Sequence, residues 1–248
     1  MSPRVLSPLR RGALLACLVG LAGCGDEAMP LSPEDTGQED SGTPDGLVPD
    51  AATPDASDPY ADEVVQFTPG PGAGFGQDRF PDVVLGPPVG AGLDSGSLDV
   101  LSLGKGGTIV LRFTDLAVMD GPGVDLLVFE NPFLIAGGPS AFTERARVAV
   151  SDDGVLWFEF PCAPSDAAGG YPGCAGVKPV TANPANGVSA TDPAVAGGDG
   201  FDLATVGLTR ARYVRIVDAG TNGSSGTSAG FDLDGVAVVN GVSLSGTP

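Results

Sequence analysis

Residues 230–240 read GFDLDGVAVVN, and two acids in this stretch, Asp232 and Asp234, stand two positions apart. In an extended chain that spacing turns both carboxylates to one face, where like charges repel unless something positive lies between them. Either a cation is shared there, or Asp232 caps a turn while Asp234 faces water. The four residues Val236–Val239 that follow have the β-branched character of a strand. A second polar pair, Glu130 and Asn131, closes the apolar run VDLLVFE just before Pro132. It could ligate a metal, bind a polar ligand, or satisfy backbone amides at a strand end. Asp199 and Asp202, in GGDGFDLATVGL, sit beside glycine, and that is the chemistry of turns as readily as of a cation site.

Much other chemistry is excluded. The chain has no histidine, so Ser-His-Asp and Cys-His triads, His-ligated zinc and the usual neutral-pH general base are all absent. No phosphate-cradling or dinucleotide-binding glycine motif follows a strand-like run, and Lys105 and Lys178 lie in no nucleophile motif. Paired carboxylates, as in glycoside hydrolysis, remain, but no spacing singles out a pair. A non-enzymatic recognition module is therefore expected.

The N-terminus gives an address. Arg4, Arg10 and Arg11 precede GALLACLVGLAG, too short to span a bilayer as a mature helix but long enough for an export signal. It ends in LAGC, which resembles the lipobox of bacterial lipoproteins, so residues 1–23 are expected to be removed and Cys24 to be acylated. Several acyl chains would hold the protein firmly to a membrane. The expected location is the outer membrane or cell surface, with the periplasmic face as the alternative. Cleavage removes three arginines and no acid, deepening a formal net charge that is already minus 19; nucleic acid is not an expected partner. The segment 24–59 carries ten acids, no Lys or Arg and no aromatic residue. It cannot bury enough apolar surface to offset its ordering entropy and reads as a solvated tether.

Residues 60–248 are enough for one domain with a proper core. Helical periodicity is almost absent; short β-branched and aromatic runs recur between Gly, Pro and Asp clusters, at 98–103, 107–113, 124–130, 145–151, 155–160, 211–218 and 234–240. Seven short strands of this kind predict an all-β sandwich. Asp153-Gly154 marks a hairpin between the fourth and fifth. In an exported chain the remaining cysteines, Cys162 and Cys174, are expected to form a disulfide rather than two buried thiols.

VAVSDDGVLWFEF resembles the characteristic hairpin of galactose-binding-like jelly rolls, the group of discoidin-type domains and many carbohydrate-binding modules; ARYVRIVD resembles their penultimate strand and GFDLDGVAVVN their closing one. More closely, VLGPPVGAGLDSGSLDVLSLGKGGTIVLRF, GPGVDLLVFENPF and GFDLDGVAVVN together resemble a group of bacterial cell-surface lipoproteins. The resemblance implies a jelly-roll β-sandwich with a structural calcium near the first loops and the last strand. Asp234 matches the acidic position of that site and Asp232 lies beside it, with Asp78 and Asp82, in FGQDRFPDVVLG, as partners from an early loop. The ions suited to such a loop are hard and oxygen-seeking. The implied ligand is a glycan, or alternatively a surface protein. For a sugar platform the expected aromatic is Tyr171 in the cysteine loop, with Trp157 and Tyr213 packed or partly packed in strands. Nothing in the sequence fixes the oligomeric state.

Overall fold

The computed structural model describes residues 57–138, 140–220 and 226–244. The signal, Cys24 and nearly all of the expected tether lie outside the described residues.

The strands in chain order are β1 (Glu63–Thr68), β2 (Leu101–Ser102), β3 (Thr108–Arg112), β4 (Leu116–Met119), β5 (Leu126–Phe129), β6 (Phe133–Leu134), β7 (Ala141–Phe142), β8 (Ala146–Ser151), β9 (Phe158–Glu159), β10 (Asp199–Phe201), β11 (Arg210–Ala211), β12 (Tyr213–Asp218), β13 (Asp232–Leu233), β14 (Gly235–Val238) and β15 (Gly241–Ser243). Every pairing is antiparallel. One sheet runs β1-β3-β12-β8-β9 and a second runs β10-β5-β14; smaller ladders β11-β4-β15, β13-β2 and β6-β7 close the edges.

Two-residue periodicity builds the sandwich. Ile109 and Leu111 of β3, Val214 and Ile216 of β12, and Val148 and Val150 of β8 point inward, against Leu126 and Val128 of β5 and Val236 and Val238 of β14. Each such buried side chain contributes about 1.5–3 kcal/mol. A one-residue slip of β12 would expose Val214 and Ile216 and bury Tyr213 and Arg215, so the register is strongly specified. The architecture is thus the expected all-β sandwich.

β5 is apolar on both faces for a different reason. Its outward residues Leu127 and Phe129, with Ala237 of β14, are covered by Val180, Ala182, Ala190 and Ala196 from the long segment before β10. That segment is the outer lid of the second sheet. At the chain entry, Pro59 accepts a hydrogen bond from the Val238 amide and Tyr60 bridges to Ala237, which ties the start of the domain to β14.

Cys162 and Cys174 are joined in a disulfide that closes the loop CAPSDAAGGYPGC. The hairpin at Asp153-Gly154 joins β8 to β9, with Gly154 at φ 75. Its connection is long, because the Asp153 carboxylate accepts from the amides of Val155 and Leu156 and draws them out of the ladder. The strand expected from Val155 therefore begins only at Phe158.

Candidate cation centre and ligand groove

Four distant segments bring polar side chains to one buried point. Glu130 follows β5, Glu144 precedes β8, and Asp232 opens β13, where it pairs in register with Ser102 of β2. The carboxylates of Glu130, Glu144 and Asp232 lie within 4.8 Å of one another. All three residues are buried, Glu130 at 1 % exposure. The Ser102 hydroxyl donates to Asp232. The chain passes closely over this centre: Gly176, at φ 82, lies so near that a Cβ there would meet the Glu144 carbonyl oxygen at 2.0 Å. Only glycine fits that position.

Electrostatically the centre is unbalanced. Neither carboxylate oxygen of Glu130 has a donor in good hydrogen-bonding geometry, although the Asn131 and Asp232 amides lie near, and the Asn131 side-chain oxygen also has no donor. Burial, then the charges of Asp232 and Glu144, hold the Glu130 carboxyl well above the usual range, with the backbone amides of Asn131 and Asp232 easing it. Burial likewise pushes Asp232 up to about 6, against the easing contacts of Ser102, Glu144 and Asn131. Among the described residues, no ion pair includes Glu130 or Asp232.

Asp234 takes a different direction from Asp232. It is buried, its Oδ1 accepts from the Val89 amide at 2.9 Å, and its Oδ2 has no donor. Burial pushes it up to about 7, with the Val89 amide easing it. Asp234 therefore anchors the loop before β2, and the two acids of the opening motif do not converge. Asp78 and Asp82 do not join the centre either. Both are exposed on short 3₁₀ turns: Asp78 on Gln77–Arg79, which buries nothing, and Asp82 on Asp82–Val84, where Val83 and Val84 turn to the core and leave the acid outside. The early segment that reaches the centre is Ser102. Glu144 escaped notice in the sequence, although it shares a signal with Glu130 and Asp232: each is an acid at the very end of an apolar strand.

Other buried acids have ordinary partners. Asp125 and Asp202 approach Asp120 closely enough to suggest a second cation site. Yet Asp125 accepts from the amides of Gly121 and Leu203 and from the Asn240 side chain, and Asp202 caps the turn at Leu203–Val206 by accepting from Ala204. Asp218 accepts from the amides of Gly106, Gly220 and Phe231. These are structural knots.

Asp199, on β10, accepts from the amides of Val177 and Lys178, yet burial pushes its carboxyl up to about 6. A folded value above the unfolded one, about 3.9, means that ionisation opposes folding. The stability contribution of this group is full below about pH 4 and is lost as pH rises through about 6. Asp199→Asn keeps an acceptor and removes the titration. Its stability relative to wild type should improve by on the order of 2–3 kcal/mol between pH 4 and 7.5, read from denaturant unfolding at both values. A difference that stays constant across that range would contradict the assignment.

A separate feature lies on the outer face of the five-stranded sheet. A groove of about 550 Å³ is lined by Gln66, Thr108, Asp153, Trp157, Tyr213 and Arg215 among others. The alternation of β12 presents Tyr213 and Arg215 together, and a register shift in β1 between Val64 and Gln66 turns Val65 out along the rim. The Arg215 guanidinium lies over the Trp157 ring at 4.6 Å from its centroid. Arg215 takes part in none of the ion pairs among the described residues. Tyr171 stands in the disulfide loop at φ 55 with the Arg145 guanidinium 4.4 Å from its ring centroid, and it does not line this groove. The aromatic side chains that line this groove are Trp157 and Tyr213. They were missed as a pair because strand alternation alone does not say which outward face curves into a groove.

No protein-family model matches the chain, and no curated protein is similar to it. Among solved structures, the C-terminal domain of a chitobiase from Bacteroides fragilis aligns over 56 % of this chain at 14 % identity, with a TM-score of 0.27. The chain spans 64 % of that domain's length. A likeness this loose has no bearing on ligand or topology.

Proposed function

We propose that this chain is a non-catalytic recognition module of the galactose-binding-like jelly-roll type, tethered to a bacterial membrane through lipid on Cys24 and binding glycan in the groove of its five-stranded sheet. The observation that supports this most is the groove itself, where Trp157 and Tyr213 offer aromatic surface beside the donors of Arg215. Sugars present apolar C–H faces that stack on aromatic rings and hydroxyls that accept from guanidinium groups. Gln66 and Thr108 add further polar groups to the same recess. The disulfide and the Asp153 turn fix the hairpin that carries Trp157, so little ordering is left for binding to offset.

A glycan array probed with the full chain tests this reading. Wild type should retain a defined set of glycans, Trp157→Ala should weaken that binding at least tenfold, about 1.4 kcal/mol, and Tyr171→Ala should leave it intact. A silent array, or undiminished binding by Trp157→Ala, would contradict it.

One observation favours a protein ligand instead. Val155 and Leu156, at the tip of the same hairpin, are 82 % and 62 % exposed. Adjacent apolar side chains held out by a rigid turn suit a protein contact better than a sugar. Loss of a defined surface-protein partner on changing Val155 and Leu156 to Ser, with the array silent, would favour that reading.

A further inference from the structure

We infer that Glu130, Glu144 and Asp232 form the binding site of one calcium ion, distinct from any site built on Asp234. Three carboxylates drawn within 4.8 Å inside a protein repel strongly, and the fold nevertheless buries all of them. The unpartnered oxygens of Glu130 are the decisive feature. Other buried acids fare better: Asp125 and Asp218 each accept three hydrogen bonds, and Asp234 has at least one oxygen satisfied by the Val89 amide, whereas neither oxygen of Glu130 has a well-aligned donor. Leaving an ionised carboxylate at 1 % exposure with no well-aligned donor costs several kcal/mol unless a cation or a proton takes the donors' place.

The ligand set identifies the class of ion. All the nearby donors are oxygens: three carboxylates, and the unpartnered side-chain oxygen of Asn131 next to Glu130. Cys162 and Cys174, the cysteines among the described residues, are bonded to one another, and histidine is absent from the chain. Soft and borderline metals are thereby disfavoured, and a hard cation that accepts roughly six to eight oxygens, some carboxylates binding through both, is favoured. The ion would join the end of β5 to the approaches of β8 and β13. Its role is that of a strut holding the strand ends together.

Thermal melting of the chelator-stripped full chain, with and without added calcium or magnesium, tests this. Calcium at a hundredfold excess over its dissociation constant should raise the melting temperature of wild type by about 5–10 °C, and magnesium, which demands tighter octahedral geometry, by less. Glu130→Gln should abolish the calcium response, while in chelator it should melt no lower than stripped wild type, since a repelling charge has gone. Asp232→Asn, which can keep the Ser102 contact, should lose the response in the same way and serves should Glu130→Gln fail to fold. The acidic tether can bind calcium loosely without altering the melt. A wild-type melt indifferent to calcium would overturn the inference, as would a full calcium response in both variants.

Discussion

Asp125→Ala should destabilise the fold by about 3–5 kcal/mol, a fall in melting temperature of about 6–20 °C for a domain of this size. Asp125 is fully buried, and one carboxylate serves three donors from three parts of the chain: the amide of Gly121, the amide of Leu203 and the side chain of Asn240. Truncation leaves the buried Leu203 amide without an acceptor and releases Asn240, whose side chain also donates to the Val124 carbonyl. The backbone of Asp125 also accepts from Val239, so the residue ties the start of β5 to the end of β14. Asp125→Asn should cost less, because it keeps the shape but sets an NH₂ group against at least one donor. Chemical denaturation measures both. A loss below about 1 kcal/mol for the alanine variant would mean that these donors find solvent or other acceptors.

The second large effect concerns the disulfide. Replacing Cys162 and Cys174 together by Ser should lower stability by about 3 kcal/mol on the loop-closure model, since the bridge spans a sequence separation of 12. The loop it closes has little core of its own: Cys174 and Ala175 are buried, but Ser165–Gly170 is mostly exposed. Its internal order comes from turns such as Asp166 accepting from Gly169. Chain-entropy restriction, rather than packing, therefore carries most of the stabilisation. Melting of the oxidised chain with and without reductant gives the same comparison, and coincident curves would contradict it.

The framework of the sandwich is legible in the sequence wherever a strand alternates cleanly. YVRIVD places Val214 and Ile216 inward and Tyr213 and Arg215 outward, as a period of two requires. TIVLR behaves in the same way, with Ile109 and Leu111 inward. Legibility fails where side chains compete for the backbone. Only Leu101 and Ser102 of the run expected at 98–103 pair as a strand, because Ser97 captures the Asp99 amide and Arg79 engages Asp99 and the Leu98 carbonyl. β15 was missed because its residues are all exposed and carry no core pattern; it pairs with β4 as an edge.

The candidate site was legible only in pieces. Asp232, Glu130 and Asn131 announce themselves as polar residues at the ends of apolar runs, and the structure brings them to one place. Glu144 lies roughly ninety positions from Asp232, and only the folded chain brings it to the centre. The spacing of Asp232 and Asp234 suggested a shared partner, yet the ladder breaks between β13 and β14, so the simple two-residue rule does not hold across Asp234.

A crystal structure of the chain grown in calcium, with anomalous data, would test the central claim most directly. A single anomalous peak with oxygens of Glu130, Glu144 and Asp232 at about 2.3–2.6 Å is the predicted result. No peak at that point, with Glu130 instead sharing a proton with Glu144 or Asp232 at about 2.5–2.7 Å between oxygens, would contradict it.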